Sequence, residues 1–311
     1  MKMKRFLALL LAGLMLLTTT GALAEATTVA VSEGSVVIDG ESEVAMGIGT
    51  EDQLYLNSVA TWDGVMYAAG NSLYRVEPET GTFTALSGDN YANNLAGDAS
   101  GLYTFNNTRL YRITVTGDAY TMGDPIVDLT ETFDLSEDSY AYCQSMTMQD
   151  GKVYLLMQGF DPNYEKQQLW EVDPADSSAR MVLFDALQAI CPYKDGKLLT
   201  VYQSWSGESF YPLIKTVDLA SGEMETLYTM TKWSMGGLCY DAATDIIYIA
   251  DDSMLYRYTA GSAEAESCAY LALDNVNTQS CGTVLNGRYY VVDNGNGGLA
   301  NCDTDPANKP E

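Results

Sequence analysis

LYRVEPETGTFTAL, residues 73–86, decides the fold. It reads as an alternating strand, a Pro/Glu/Thr/Gly turn and a second alternating strand, the signature of a β-hairpin. The hairpin returns as LYRITVTGDAYTM (110–122), LWEVDPADSSARMVL (169–183), LIKTVDLASGEMETL (213–227) and LYRYTAGSAEAESCAYL (255–271). Ahead of each lies a tight turn followed directly by an apolar strand. The turns fall at Asp63-Gly64, Ser100-Gly101, Asp150-Gly151, Asp195-Gly196, Thr244-Asp245 and Asn286-Gly287. The strands are VMYAAG, LYTFNN, KVYLLMQG, KLLTVYQ, IIYIAD and RYYVVDN. Asp-Gly and Asn-Gly suit type I′ turns, whose two central residues both need positive φ. The steps between turns are roughly 37 to 50 residues, the length of a propeller blade.

Six units of four strands (A to D) predict an all-β, six-bladed β-propeller. A two-sheet sandwich has no reason to repeat one strand order six times. Helical periodicity is nearly absent; DALQAI (185–190) is at most a single turn. The last unit is incomplete, because GGLANCDTD (297–305) is followed by PANKPE rather than by a fourth strand. An unclosed ring leaves a sheet edge open. A strand from TTVAVSEGSVVIDG (27–40) or QLYLNSVAT (53–61) is therefore expected to pair into the last blade and close it.

The hairpins LYRVEPETG and LWEVDPADSS carry a resemblance, covering about residues 55–305. They resemble the extracytoplasmic bacterial six-bladed propellers of the broad group that includes NHL-like and PQQ-type repeats. Similar propellers occur fused to solute-binding domains of bacterial transporters. The resemblance therefore implies a possible transport-associated binding domain as partner, and an accessory-domain role as an alternative function.

The first residues, MKMKRFLALLLAGLMLLTTTGALA, read as a signal peptide: a basic start, an apolar run too short to span a bilayer, and Ala22-Leu23-Ala24 as the cleavage site. The expected organisation is a signal peptide at 1–24, an N-terminal segment with the closing strand at 25–52, the propeller at 53–305, and a tail or linker start at 306–311. This predicts a secreted or extracytoplasmic chain, cleaved near Ala24. It carries no lipid anchor, since the segment has no Cys, and no membrane-inserted stretch in the mature chain. A monomer is expected.

Charge narrows the partners. The formal charge of −26 falls to −29 once the three basic residues of the signal are removed. Such a chain repels nucleic acid and anionic membranes. Six cysteines remain: Cys143, Cys191, Cys239, Cys268, Cys281 and Cys302. Export permits disulfides. Cys191 and Cys239, however, hold equivalent positions ahead of successive strands, which reads better as free, buried thiols in separate blades. With no His and no CxxC, zinc sites with His ligands are excluded.

Catalytic signatures are missing. A Ser nucleophile has no His base, and a Ser-Lys dyad would have to draw on Lys194, Lys197, Lys215 or Lys232 without an S-x-x-K motif. Paired carboxylates remain possible at Asp161, Glu165 and Glu208, leaving a carboxylate-dependent hydrolase or lyase as a second alternative. DNGNGG (293–298) resembles a calcium loop faintly but lacks alternating acids and a distal Glu. Asp251-Asp252 and Asp303/Asp305 add no better calcium set. Bound PQQ would need cationic ligands facing the funnel, which the sparse Lys and Arg do not offer; no cofactor is expected, with calcium as the alternative. The Gly-rich run opens no helix, so it makes no phosphate site. Asn106-Asn107-Thr108 is a formal glycosylation sequon without evident meaning here.

Loop lengths point to one functional face. A–B and C–D turns lie on one side of a propeller, and B–C and D–A connections on the other. Here the first side is trim, with two-residue A–B turns expected. The second carries GFDPNYEKQQ (159–168), YQSWSGESFYP (202–212), DNGNGG (293–298) and GDPIVDLTETFDLSEDSYAYCQ (123–144). Long loops on a rigid scaffold are where binding concentrates. The expected rim is Tyr140, Tyr142, Tyr164, Trp205, Phe210 and Tyr211, with Asp293 and Asn294. Aromatic faces stack on sugars and pack on peptide side chains. The reading is a non-catalytic recognition module for a glycan, peptide or protein partner. The alternative is that these aromatics pack their own loops onto the blade tops.

Overall fold

The computed structural model describes residues 54–88, 90–133, 141–163, 165–203, 211–230, 237–250, 254–270, 282–293 and 298–305, with strand segments at 28–29, 35–38 and 41–46. Three short strands come first: β1 (Thr28–Val29), β2 (Ser35–Ile38) and β3 (Glu41–Met46). Blade 1 is β4 (Ser58–Trp62), β5 (Val65–Ala69), β6 (Leu73–Glu77) and β7 (Thr82–Leu86), with β1 along its outer edge. Blade 2 is β8 (Asn94–Asp98), β9 (Gly101–Asn106), β10 (Arg109–Thr116) and β11 (Ala119–Met122). The chain then makes β12 (Val127–Asp128), which pairs with β10, and one helical turn, α1 (Thr130–Phe133).

Blade 3 is β13 (Tyr142–Gln149), β14 (Lys152–Gln158), β15 (Gln167–Asp173) and β16 (Ser178–Asp185). Blade 4 is β17 (Leu187–Tyr193), β18 (Lys197–Tyr202), β19 (Leu213–Asp218) and β20 (Met224–Thr229). Blade 5 is β21 (Leu238–Asp241), β22 (Ile246–Ala250), β23 (Met254–Tyr258) and β24 (Glu266–Tyr270). Blade 6 is β25 (Thr283–Leu285), β26 (Arg288–Asp293) and β27 (Gly298–Asp303), completed by β3 and then β2. Pairing within every blade is antiparallel.

The innermost strands touch in the order β4, β8, β13, β17, β21, β25 and back to β4, so the ring is closed. This is the predicted six-bladed propeller. Its seam is N-terminal, as expected, but the pairing strand differs from both proposed segments. β27 pairs with β3, with Leu299 opposite Met46 and Asn301 opposite Val44. Residues 35–38 form the next strand out, and residues 58–62 are the innermost strand of blade 1. The cause is a hairpin: Ile38 sits opposite Glu41, so the chain enters from outside and its second arm meets the last blade.

The core is divided among the six clefts between blades. Alternate residues of one strand serve two different clefts. In β14, Val153, Leu155 and Met157 pack toward blade 2, whereas Tyr154 and Leu156 pack toward blade 4. A strand buried on both faces reads as a continuous apolar run, which explains KVYLLMQ and its counterparts. Outer strands such as β16 and β20 are largely solvated.

The turns follow the sequence closely but not everywhere. Asp63 and Gly64 (φ 51° and 73°), Asp150 and Gly151 (52° and 77°) and Asn286 and Gly287 (51° and 75°) take positive φ at both positions, as I′ turns require. In blade 2 the register sets Asp98 opposite Gly101, so the turn is Ala99-Ser100, one residue before the expected pair. In blade 4 the connection is Lys194 to Gly196, and in blade 5 Ala242 to Asp245, both longer than two residues. DALQAI is strand rather than helix. A register shift between Leu187 and Ala189 breaks the alternation, so the apolar positions mimic a helical period.

Neighbouring inner strands are stapled by side chains. Ser58 Oγ donates to Asn93 O (3.0 Å) and accepts from Leu95 N–H (2.8 Å). Ser145 Oγ accepts from Ile190 N–H (3.4 Å), and Gln144 Nε2 donates to Gln188 O (2.8 Å). On the trim face Gln149 bonds both the N–H and the C=O of Tyr193, at 3.2 and 2.7 Å. Such bonds hold both ends of the ring in register, which keeps the loop-bearing face rigid. No helix among the described residues is long and apolar enough to cross a membrane.

Candidate functional site

The central channel is lined by all six inner strands and encloses about 240 Å³. Its walls are mostly small and uncharged, including Ala60, Gly97, Thr147 and Thr283, with the cysteines Cys191 and Cys239. Those two lie in different blades, as their spacing implied. Cys143 is a free thiol whose Sγ donates to Ser145 O. Cys268 and Cys302 share a buried cluster with Cys239 between blades 5 and 6. Cys281 lies outside the described residues.

Of the predicted rim, Tyr140, Tyr164, Trp205, Phe210 and Asn294 lie outside the described residues. Tyr142 opens β13 half-buried, and its hydroxyl donates to Gln158 Oε1 within its own blade. Tyr211 closes the blade 4 connection and is exposed. Asp293 ends β26, opposite Gly298.

The long connections are partly anchored. Phe133 of α1 packs against the rings of Phe160 (5.3 Å) and Trp170 (5.5 Å), so α1 is pinned onto blade 3. Asp161 accepts the backbone N–H groups of Asn163, Glu165 and Lys166 at 3.0, 3.1 and 2.9 Å. Those bonds, that from Asn163 foremost, hold its carboxyl below the usual carboxylate range. Asp161 is thus a loop staple. A general acid needs the opposite shift. Glu208 lies outside the described residues, as do Asp251 and Asp252. No cluster of metal-ligating side chains occurs among the described residues; Asp303 accepts the N–H of Asp305.

The same face carries a second depression that sequence reasoning missed. Asn90, Tyr91 and Asn93 come from the connection between blades 1 and 2; Asn106, Asn107 and Tyr111 come from the end of β9, its turn and β10. They line a cavity of about 350 Å³. Asn106 Nδ2 donates to Tyr91 O, and Tyr120 OH donates to Asn90 O. Asn57 Nδ2 reaches both Tyr91 OH (3.2 Å) and Asn93 Oδ1 (3.0 Å). These bonds fix the loop that presents Tyr91, a residue that remains 53% exposed. Asn107 occupies the left-handed region (φ 56°), which asparagine tolerates well. The only sequence signal was the density of Asn and Tyr in NYANN and NNT, which reads equally well as turn chemistry.

No family model matches the chain, and no curated protein matches it. Among solved structures it is similar to an oligogalacturonate lyase from Vibrio parahaemolyticus, at 10% identity and a TM-score of 0.52, covering 91% of this chain and 99% of that one. It is also similar to a gluconolactonase from Xanthomonas campestris, at 9% identity and a TM-score of 0.57, covering 89% and 93%. A chain of a nidogen/laminin complex matches at 11% identity and a TM-score of 0.50, covering 78% and 92%. At these identities the likeness is one of fold: two enzymes and a component of a protein complex share this propeller architecture.

Proposed function

We propose that the chain is an extracytoplasmic, non-catalytic recognition module that binds a glycan, peptide or protein partner on its long-loop face. The observation that carries this reading is the placement of exposed aromatics. Among the described residues five large apolar side chains are exposed, and Tyr55, Tyr91 and Tyr211 all belong to that face. Met181 and Phe184 lie instead on the outer strand of blade 3. Exposed tyrosines on a rigid scaffold offer large contact area at low entropic cost.

The carboxylates favour binding over acid catalysis. Among the described residues, those that depart from their ordinary values, Asp128, Asp161, Glu171, Asp176, Asp218 and Asp245, depart downward. The signal-like start supports export, and the two hairpin motifs support kinship with extracytoplasmic propellers. The test is a glycan and peptide array probed with the purified chain and with a Trp205→Ala/Tyr211→Ala double variant. Loss of signal in the variant is expected. Unchanged binding by the variant would refute a rim at blade 4.

A further inference from the structure

We propose that the cavity between blades 1 and 2 is a subsite for an uncharged saccharide, read by its asparagine amides and by the Tyr91 ring. This rests on the recognition reading above and names the ligand class and the place. Four observations meet there. First, the cavity of about 350 Å³ falls at the small end of ligand pockets, suited to a sugar-sized ligand. Second, none of Asn90, Tyr91, Asn93, Asn106, Asn107 and Tyr111 carries a charge, in a chain of formal charge −26. A neutral lining inside a strongly negative field selects against anions without attracting cations by a local charge.

Third, the amides have hydrogen bonds to spare. Each amide side chain offers donors and acceptors together, matching a sugar hydroxyl, which is both. Asn106 is committed, since Nδ2 donates to Tyr91 O and Oδ1 accepts from Thr104 (3.4 Å). Asn93 spends only its Oδ1, on Asn57, and its Nδ2 has no partner among the described residues. The side chains of Asn90 and Asn107 have none among them either. Fourth, the loop is held before any ligand arrives. Asn57, Asn106 and Tyr120 pin residues 90–93 from three sides, so binding orders little that is not already ordered. The sequon at 106–108 thereby gains a role unrelated to glycosylation: Asn106 is half-buried and holds the wall of the cavity.

The experiment is calorimetric titration of the full mature chain with a panel of neutral trisaccharides (gluco-, manno- and galacto-configured) and with trigalacturonate as the anionic counterpart. At least one neutral trisaccharide should bind, and trigalacturonate should bind about tenfold more weakly or not at all. Tyr91→Ala should weaken the neutral ligand about tenfold or more, as loss of a central aromatic does. Asn107→Asp, which keeps a residue tolerant of positive φ, should weaken it similarly. Asn107→Asp should keep the parent melting temperature, read in the same samples, and Tyr91→Ala, which also loses the Asn57 bond, should lower it by no more than about 2–4 °C. Equal binding of the neutral and anionic trisaccharides refutes the subsite, as does unchanged affinity in Tyr91→Ala. Peptide or glycan binding that depends on Tyr211 but not on Tyr91 refutes the subsite and leaves the recognition module standing. Absence of binding to every array and panel member refutes both.

Discussion

Replacing Glu171 by Gln tests how the propeller tolerates charge inside a blade. Glu171 lies on β15 with only 8% of its side chain exposed. Lys152 Nζ reaches its Oε1 at 2.7 Å, Arg180 donates to both oxygens at 3.1 and 2.6 Å, and Tyr154 OH reaches Oε2 at 3.2 Å. Burial pushes its carboxyl upward. The bonds and charges of Arg180 and Lys152 outweigh that, and the group sits below the usual carboxylate range. Arg180 also donates to Leu219 O (2.8 Å), so the network ties blade 3 to blade 4.

Breaking a fully buried ion pair costs about 3–5 kcal/mol, because the remaining charge is stranded. Here the side chains of Arg180 and Lys152 stay 48% and 37% exposed, so water takes over much of their solvation. We therefore expect Glu171→Gln to cost about 2 kcal/mol at pH 7, a fall in melting temperature of about 4–8 °C. A carboxyl depressed in the folded state stabilises fully above its unfolded value, about 4.3. That contribution is lost as the pH falls through the lower folded value. The gap between parent and variant, followed by differential scanning fluorimetry from pH 7 to pH 3, should narrow below about pH 4. A gap of the same size at both ends would show that the charge is irrelevant and the reasoning wrong.

Other substitutions probe the scaffold. Leu155→Ala empties a fully buried site in the cleft between blades 2 and 3 and should cost about 2–5 kcal/mol in urea unfolding; a cost below about 1 kcal/mol would mean that the cleft collapses freely. Gly70→Ala would set a Cβ 2.4 Å from Leu54 O, a backbone atom that has no rotamer to yield, so about 1–3 kcal/mol is expected by the same measurement. A chain lacking residues 1–46 loses β3 and leaves β27 with an open edge. It should elute as oligomers or aggregate, and a stable monomer would show that the seam is dispensable.

The ring was legible in the sequence wherever residue type dictates backbone. Asp63-Gly64, Asp150-Gly151 and Asn286-Gly287 announce positive φ, and each is a blade's first turn. In blade 2, Gly101 does take a positive φ (157°) that side-chain-bearing residues rarely adopt, but it opens β9 opposite Asp98, and the turn itself lies one position earlier at Ala99-Ser100. The closing strand ESEVAM was passed over because its acids hide the alternation, and its partner lies at the far end of the chain. The cavity at Tyr91 was illegible for a related reason. NYANN and NNT are separate turns in sequence, and only the curl of β9 and β10 beside the preceding connection brings their amides to one wall. Most of the predicted aromatic rim lies outside the described residues; Tyr142 is half-buried with its hydroxyl bonded to Gln158, and Tyr211 is exposed.

The seam at β3 and β27 also sets the order in which the molecule can assemble. Blades 2 to 5 are each made from contiguous chain, so each can zip locally as it emerges. The last blade cannot, because its outer strands, β2 and β3, come before the four main strands of blade 1, and its inner strands follow blade 5. Joining Met46 to Leu299 closes a loop of roughly 250 residues, a cost that grows only with the logarithm of its length. The difficulty is one of timing: until residues 298–303 arrive, β3 waits as an unmatched edge at the front of an open arc. A circular permutant in which a linker runs from the end of β27 to the start of β2, opened at the exposed Gly117-Asp118 turn, would move that wait into blade 2, leaving the ring unchanged and its folding kinetics altered.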